Sequence, residues 1–342
     1  MGAEAMTVRL PRSVAYEVTY RCNHRCLFCS CPWYAPESRY HCGNELDVEQ
    51  WNRVTDLLIE KGVVSFSISG GEALMKEGLI DILSHIHRRL DEHQLKSPIV
   101  LISNGRLVNE QWLRAFHDLG VHLSMSLPGY STFKFHTGVD NADGVLEMFR
   151  QAKAIGLTTT ANITVTKQNL HELFETASIA LINGAGSILL NRFLPGGRGL
   201  SNIDQLLLSR QEINEMLSVC EEVLALANRY GNVGTEIPLC VIDNPDSLRH
   251  LHVGYRCAAA KGFFVVDPSG QLRTCNHSPH VVGHVFSEPM ISDVQYWNMF
   301  QNSDFKPSVC KGCDDILRCD CGCREVANIL CGDPTAADNS IF

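Results

Sequence analysis

The chain has 342 residues, of which 45% are hydrophobic and 20% charged, with a formal net charge of −9. It is long enough for one large domain with an appendage or for two modest domains, and its composition is that of an ordinary globular protein. No basic stripe suggests a nucleic-acid partner, residues 1–12 lack a signal-peptide core, Met1-Gly2 lacks the Ser or Thr at position 6 that myristoylation needs, and no stretch approaches the roughly 20 apolar residues of a membrane span. A cytoplasmic protein, bound neither to nucleic acid nor to a membrane, is expected.

In chain order, residues 14–19 read as a strand. Asp47, with Gln50 three residues on, predicts a capped helix running to about Lys61. A strand over 63–69 and a helix over 77–91 follow, then a strand over 98–103 and a helix over 109–119 stopped by Gly120. The pattern continues with a strand over 121–127, a helix over 143–155 stopped by Gly156, and a β-branched strand over 158–166. A helix over 170–182 and a strand over 187–194 complete it. Six such strand–helix units imply a parallel sheet with crossover helices. They are too few for the closed eight-unit barrel, so the α/β fold expected is a partial (β/α)6 barrel, with function at the C-terminal ends of its strands.

Pro195-Gly196-Gly197-Arg198-Gly199 ends the alternation, and Ser209 with Glu212 predicts a capping box for a helix over 210–230. Beyond Gly231 the texture becomes loops, short strands and cysteines. The expected division is a barrel over 1–200, a helical linker over 201–235 and a cysteine-rich domain over 236–342.

The chain has 15 cysteines, an odd, high count that in a reducing compartment points to metal ligation rather than disulfides. None lies between Cys42 and Cys220, so two groups carry different chemistry. In the first, Cys22, Cys26 and Cys29 are spaced C-x3-C-x2-C just after a strand. Three thiolates on one tight loop can hold three corners of a cubane [4Fe–4S] cluster and leave one iron open. A zinc site completed by Cys31 is the alternative.

This loop, with the aromatic Phe28 before its third cysteine, at the end of the first strand of a repeated strand–helix domain, resembles the radical SAM superfamily. The resemblance implies that S-adenosylmethionine chelates the open iron and is cleaved to a 5′-deoxyadenosyl radical that abstracts hydrogen from the substrate. It also implies that Gly70, Gly71 and Glu72, at the end of the second strand, contact the amine of that cofactor, and that Asn162 stands where relatives place a cofactor-contacting Asn. By period-two alternation, Ser124 and Ser126 share one face of the fourth strand, and Asn162, Thr164 and Thr166 one face of the fifth, pointing into the barrel. Arg192, near the end of the sixth strand, could pair with a carboxylate. For each of these an ordinary turn, a core hydrogen bond or a solvated strand end is the plainer reading.

The second group runs Cys257, Cys275, Cys310, Cys313, Cys319, Cys323 and Cys331. Asp267-Pro268-Ser269-Gly270 predicts a hairpin between strands at 263–266 and 271–274 that brings Cys257 and Cys275 together. Paired zinc ribbons would be one explanation. The spacing, with Gly283-His284-Val285 and Trp297, is similar to the SPASM extension of a large radical SAM subfamily. That resemblance implies two auxiliary [4Fe–4S] clusters, one on Cys257, Cys275 and Cys323 and one on Cys310, Cys313, Cys319 and Cys331. Where some relatives supply a further ligand six residues after the first cysteine, this chain has Phe263. Cys240 or Cys321 fills the gap, or the iron is open. Cys31, Cys42 and Cys220 belong to neither pattern, and Cys220 reads as a small buried hydrophobe.

The subfamily mostly modifies peptides, and auxiliary clusters suit net oxidations, because a substrate radical must lose an electron. The reading placed first is oxidative modification of a peptide by a thioether or carbon–carbon crosslink or by dehydrogenation. Small-molecule or cofactor biosynthesis is the second, and a non-catalytic iron–sulfur electron carrier the third. An electron donor such as flavodoxin or ferredoxin is an implied partner. With the first cysteine at position 22, a separate protein is expected to recognise any leader peptide. No catalytic acid or base can be named; His277 and His280, after Cys275, are candidates to face the substrate or to be structural.

Overall fold

The computed structural model describes residues 8–34 and 43–338; residues 1–7 and Cys42 lie outside the described residues. The first strand–helix units are β1 (Ser13–Glu17), α1 (Val48–Glu60), β2 (Ser65–Ser69), α2 (Leu79–Glu92), β3 (Ile99–Ser103), α3 (Glu110–Asp118) and β4 (Val121–Ser126). They continue through α4 (Phe133–Thr137), α5 (Asp143–Ala154), β5 (Thr159–Val165), α6 (Leu173–Ile182) and β6 (Ser187–Arg192). Then come α7 (Ile203–Leu206), α8 (Arg210–Ala227), β7 (Gly231–Val233), β8 (Leu251–Val253), β9 (Phe263–Val266), β10 (Gln271–Arg273), β11 (Val281–His284), α9 (Val294–Asn302) and α10 (Arg324–Cys331).

Local chemistry sets the boundaries. Asp47 and Gln50 form the reciprocal capping box at the start of α1, and Ser209 and Glu212 do the same for α8. The Asn109 side chain accepts from Trp112 N at 3.0 Å and caps α3. Helix α8 stops at Ala227, three residues before its predicted end, because Asn228 turns left-handed at φ 49°. The five-residue α4 was not foreseen; it is too short to show a helical period.

Strands β1 to β6 lie side by side and parallel in chain order, as the alternation demands. The sheet then extends beyond the six expected strands. On the β6 side β7 and β8 add in parallel, and on the β1 side β9 adds in parallel, followed by the antiparallel β10 and β11. The edges β8 and β11 do not pair, so the barrel is open. Strands of three residues such as β7 and β8 carry no readable alternation.

One apolar core runs through both ends of the sequence: Val14, Trp51, Phe66 and Leu101 share it with Phe264, Trp297 and Phe300. A second packs α6 and α8 on β5 to β8 around Ile188, Leu190, Met216 and Leu224. The inner face of the sheet is different. Ser67, Ser69, Ser126, Asn162, Thr164 and Asn191 are half-buried on alternate positions, while their neighbours Ile68, Met125, Ile163 and Leu190 are fully covered. The fold thus presents a polar, accessible face whose upper rim is the set of loops after each strand.

Candidate active site

The loop carrying Cys22, Cys26 and Cys29 leaves β1 at that rim and is held by the loops after the neighbouring strands. After β2, Gly71 N donates to Thr19 O at 2.7 Å and Glu72 N to Arg21 O at 2.8 Å. A Cβ on Gly70 would lie 2.4 Å from Thr19 O, and one on Gly71 2.3 Å from Arg21 O. Only glycine permits this contact, and the two loops form one backbone unit. After β4, α4 receives Leu27 N at His136 O, 2.9 Å, and Arg25 N at Thr137 O, 3.1 Å. After β6, Gly199 N donates to Cys29 O at 3.1 Å, and a Cβ on Gly197 would meet Cys31 O at 2.2 Å. From the C-terminal region, Tyr20 Oη donates to Asp267 Oδ2 at 3.0 Å.

Glu72 is buried, and its carboxylate accepts from Leu74 N at 3.2 Å, Ser103 Oγ at 2.8 Å and Asn104 N at 2.7 Å. Burial pushes its pKa up, against the pull of these donors. Glu72 therefore welds the end of β2 to the end of β3. Asn104, which sequence reasoning missed, reaches Asn23 Oδ1 at 2.7 Å and Cys22 Sγ at 4.0 Å. Arg198, also missed, donates to Cys26 O at 3.1 Å and stacks 4.5 Å above the Tyr34 ring. Its place in a glycine-rich segment just after the last barrel strand was the available signal.

The three cysteine side chains are each partly accessible. Burial pushes the Cys22 and Cys26 thiols up, while the Arg198 charge works the other way. A hydrogen bond with the Cys31 thiol holds Cys29 down at about 7, and the same bond raises Cys31. Among the described residues, no three His, Cys, Asp or Glu side chains converge on a single-ion site; a structural zinc draws four donors to about 2.0–2.3 Å of one point. A thiol-only donor set, spread over one loop at an accessible rim, fits an iron–sulfur cluster with an open corner.

Of the other expected contacts, Phe28 is half-buried with its ring 6.0 Å from that of His136. Ser124, Ser126 and Asn162 lie on the inner face; Asn162 Oδ1 accepts from Asn191 Nδ2 at 2.8 Å, and the buried Ser124 hydroxyl has no hydrogen-bond partner among the described residues. Thr166 is fully buried under His136 Nε2, at 2.9 Å. Arg192 is not brought to that face. It follows Asn191, so it points the other way, where Asp338 accepts from it at 3.2 and 2.7 Å and Glu236 O at 3.0 Å. A cleft of about 370 Å³ opens beside the cysteine loop between His24, Asn104, Arg106 and Asp140.

In the C-terminal region the Cys257, Cys275 and Cys323 thiols are mutual neighbours and are all pushed up by burial, Cys323 to about 12. The carboxylates around them hold backbone donors: Asp320 takes Cys257 N at 3.0 Å, and Asp338 takes Cys323 N at 2.7 Å. Cys319 is held at about 6 by a hydrogen bond with Cys321, whose thiol also meets Cys310. Cys240 faces Cys319, Cys310 and Cys313. Cys240 and Cys321 thus accompany the second group of thiols, not the first. Cys331 is exposed at the end of α10. Cys31 supports Cys29, and Cys220 is buried in α8. His277 is buried with Nε2 on Pro195 O at 2.8 Å, burial holding its pKa near 4, and His280 pairs with Asp293 at 2.8 Å; both have structural partners.

The strand-end cysteine loop braced by paired glycines defines a class, and residues 16–180 match the model of the radical SAM superfamily. The chain is a radical SAM enzyme, whose cofactors are S-adenosylmethionine and a [4Fe–4S] cluster, and it carries a cysteine-rich C-terminal extension. It is similar to the PqqA peptide cyclase of Gluconobacter oxydans, 27% identical over 96% of this chain and 89% of that protein. The PqqA peptide cyclase of Granulibacter bethesdensis is 26% identical over 97% of this chain and 87% of that protein. In fold it resembles Streptococcus suis SuiB bound to its precursor peptide SuiA, with TM-score 0.72 and 16% identity over 97% of this chain and 76% of that one. It also resembles anSMEcpe with bound AdoMet, with TM-score 0.71 and 17% identity over 96% of this chain and 92% of that one. Among the described residues, no helix is long and apolar enough to cross a membrane.

Proposed function

We propose that this enzyme oxidatively modifies a peptide, forming a thioether or carbon–carbon crosslink or a double bond within it. The observation that carries the peptide substrate is similarity to PqqA peptide cyclases along almost the whole chain, the cysteine-rich extension included. With both cofactors bound, the site would supply a 5′-deoxyadenosyl radical able to abstract hydrogen from a carbon of the substrate.

The chain's own residues divide the work. Cys22, Cys26 and Cys29 hold three corners of the catalytic cluster and leave the fourth for S-adenosylmethionine. The rim beside them, formed by Phe28 and the backbone of Gly70, Gly71 and Glu72, receives the methionine end. Ser124, Ser126 and Asn162 offer hydroxyl and amide groups along the inner face. The buried Ser124 hydroxyl, which lacks a partner among the described residues, is suited to a bound polar group. Arg192 braces the C-terminal region through Asp338. Cys257, Cys275 and Cys323 hold a first auxiliary cluster. Cys310, Cys313 and Cys319 would hold a second, with Cys331 as the fourth ligand that the resemblance to the SPASM extension implies. Clusters held by these residues would supply an acceptor for the electron that the substrate radical must lose. Flavodoxin or ferredoxin would supply the reducing electrons.

The test is anaerobic incubation of the reconstituted enzyme with S-adenosylmethionine, a reductant and a short peptide encoded beside its gene. The expected result is 5′-deoxyadenosine together with a peptide that has lost two hydrogen atoms per modification. Absence of 5′-deoxyadenosine would overturn the radical chemistry. Its formation with unchanged peptides, and consumption of a small molecule instead, would overturn the peptide assignment.

A further inference from the structure

The turn after Cys275 is held from two sides. His277 Nε2 lies 2.8 Å from Pro195 O in the loop after β6, and a Cβ on Gly196 would come within 2.7 Å of the His277 ring. On the other side the turn is tied to Glu17, the last residue of β1. Strands β1 and β6 are the first and last of the six parallel barrel strands. Residues 275–278 therefore reach from one end of that arc to the other at the rim, between the cysteine loop and the β9–β10 hairpin.

The tie to β1 is a buried ion pair. Tyr16 and Val18 belong to the apolar core, so Glu17, between them, lies on the inner face. Its Oε2 accepts from Arg273 Nη2, and its Oε1 from Asn276 Nδ2 at 3.0 Å. Arg273 Nη1 donates to Asn276 O at 3.3 Å and to Ser278 O at 2.9 Å. One planar guanidinium thus fixes β1 and two carbonyls of the turn in a single rigid fork. Its central carbon stands 5.9 Å from the Trp33 ring, which stacks at 4.0 Å on Tyr20, two residues before Cys22. Glu17 and Arg273 are 2% and 0% exposed. Burying two charges carries a desolvation cost that apolar residues of like size avoid, so such a pair is weak evidence for stability. What this one supplies is a single geometry for the turn that follows Cys275.

We infer that Glu17 and Arg273 are positioning residues for the electron-loss step of the reaction: their pair fixes the turn across the rim and so sets the path from the substrate radical to the first auxiliary cluster. This rests on the proposed peptide oxidation and on the proposed assignment of Cys257, Cys275 and Cys323 to that cluster. In this step the carbon radical left by hydrogen abstraction gives one electron to an oxidised [4Fe–4S] cluster and one proton to solvent as the crosslink or double bond forms. Both residues are covered, and each acts through the turn.

The experiment compares the anaerobically reconstituted full chain with Arg273→Lys, which keeps the charge but loses the fork, and with Glu17→Gln, which cannot accept from both donors. Amide hydrogen exchange of the cluster-loaded protein without substrate reads the turn itself. Residues 275–280 are expected to exchange several-fold faster in both variants, with exchange in α1 and α2 unchanged. Turnover with S-adenosylmethionine, reductant and peptide reads the consequence. 5′-Deoxyadenosine should form at close to the unsubstituted rate, while oxidised peptide per 5′-deoxyadenosine falls several-fold and an organic radical accumulates in freeze-quenched samples by electron paramagnetic resonance. Unchanged exchange over the turn, or an unchanged ratio, would overturn the proposal. So would a parallel fall of 5′-deoxyadenosine and product, or loss of iron in both variants, because either marks a general brace of the fold. Where one variant alone loses iron, the other decides. Failure of the underlying readings looks different: the unsubstituted chain then makes no oxidised peptide, or a Cys257/Cys275/Cys323→Ala chain keeps its full iron content.

Discussion

At the scale of single residues, the cysteine loop is positioned by contacts that leave no room. The Cβ that Gly71→Ala adds would sit 2.3 Å from Arg21 O, between the first cysteine and the loop after β2. The loop must shift by close to an ångström, and such misplacement of reacting groups typically costs about 100-fold in rate. The expected outcome is a folded protein with 5′-deoxyadenosine formation down by that order, checked by circular dichroism and by product analysis. Glu72→Gln keeps the shape but sets an amide NH2 against Asn104 N while its oxygen keeps Leu74 N and Ser103 Oγ, or the reverse, so at least one buried donor loses its acceptor. A loss of about 2 kcal/mol is expected from urea unfolding. The cysteines, the paired glycines and Glu72 are legible in sequence because their chemistry needs those residue types at fixed short spacing. Asn104 and Arg198 are not, because each acts across a gap of many residues that only the fold closes.

At the scale of elements, α4 and the C-terminal brace were the parts least visible beforehand. Helix α4 holds the cysteine loop through the carbonyls of His136 and Thr137. The His136 ring is itself buried, with Nδ1 on Thr132 O at 3.0 Å and Nε2 on Thr166 Oγ1 at 2.9 Å, which is the pairing of a neutral imidazole. Burial keeps its pKa below the ordinary value. The unfolded chain therefore takes up this proton first as pH falls. The stability His136 contributes is present above about pH 6.5 and is lost progressively below it. His136→Gln should lower the urea midpoint at neutral pH and reduce its fall between about pH 7 and pH 5.5, compared with the unsubstituted protein. The Arg192–Asp338 pair, 2% and 0% exposed, joins the end of β6 to the residues after α10. Asp338→Asn leaves a buried guanidinium without an anion and should cost about 3 kcal/mol in denaturant unfolding. Helix starts at Asp47, Asn109 and Ser209 were readable because a cap is local chemistry, whereas the partner of Arg192 lies 146 residues away.

At the scale of the whole molecule, the repeated strand–helix pattern foretold the parallel sheet and its open barrel. It did not foretell that the C-terminal region continues the same sheet, β9 pairing with β1 and Phe264 and Trp297 entering the same core as Phe66. That continuity arises from tertiary packing of short segments. Its consequence is a fixed relation between the catalytic loop on β1 and the hairpin that carries Cys275. The central claim is that the loop of Cys22, Cys26 and Cys29 holds a cluster with one iron open to S-adenosylmethionine. It is tested most directly by electron paramagnetic resonance of the reduced, anaerobic protein before and after S-adenosylmethionine is added. The account predicts that one cluster signal shifts, and that Cys22/Cys26/Cys29→Ala abolishes both that shift and about four of the bound irons. A spectrum indifferent to S-adenosylmethionine, or zinc in place of iron on those three cysteines, would contradict it.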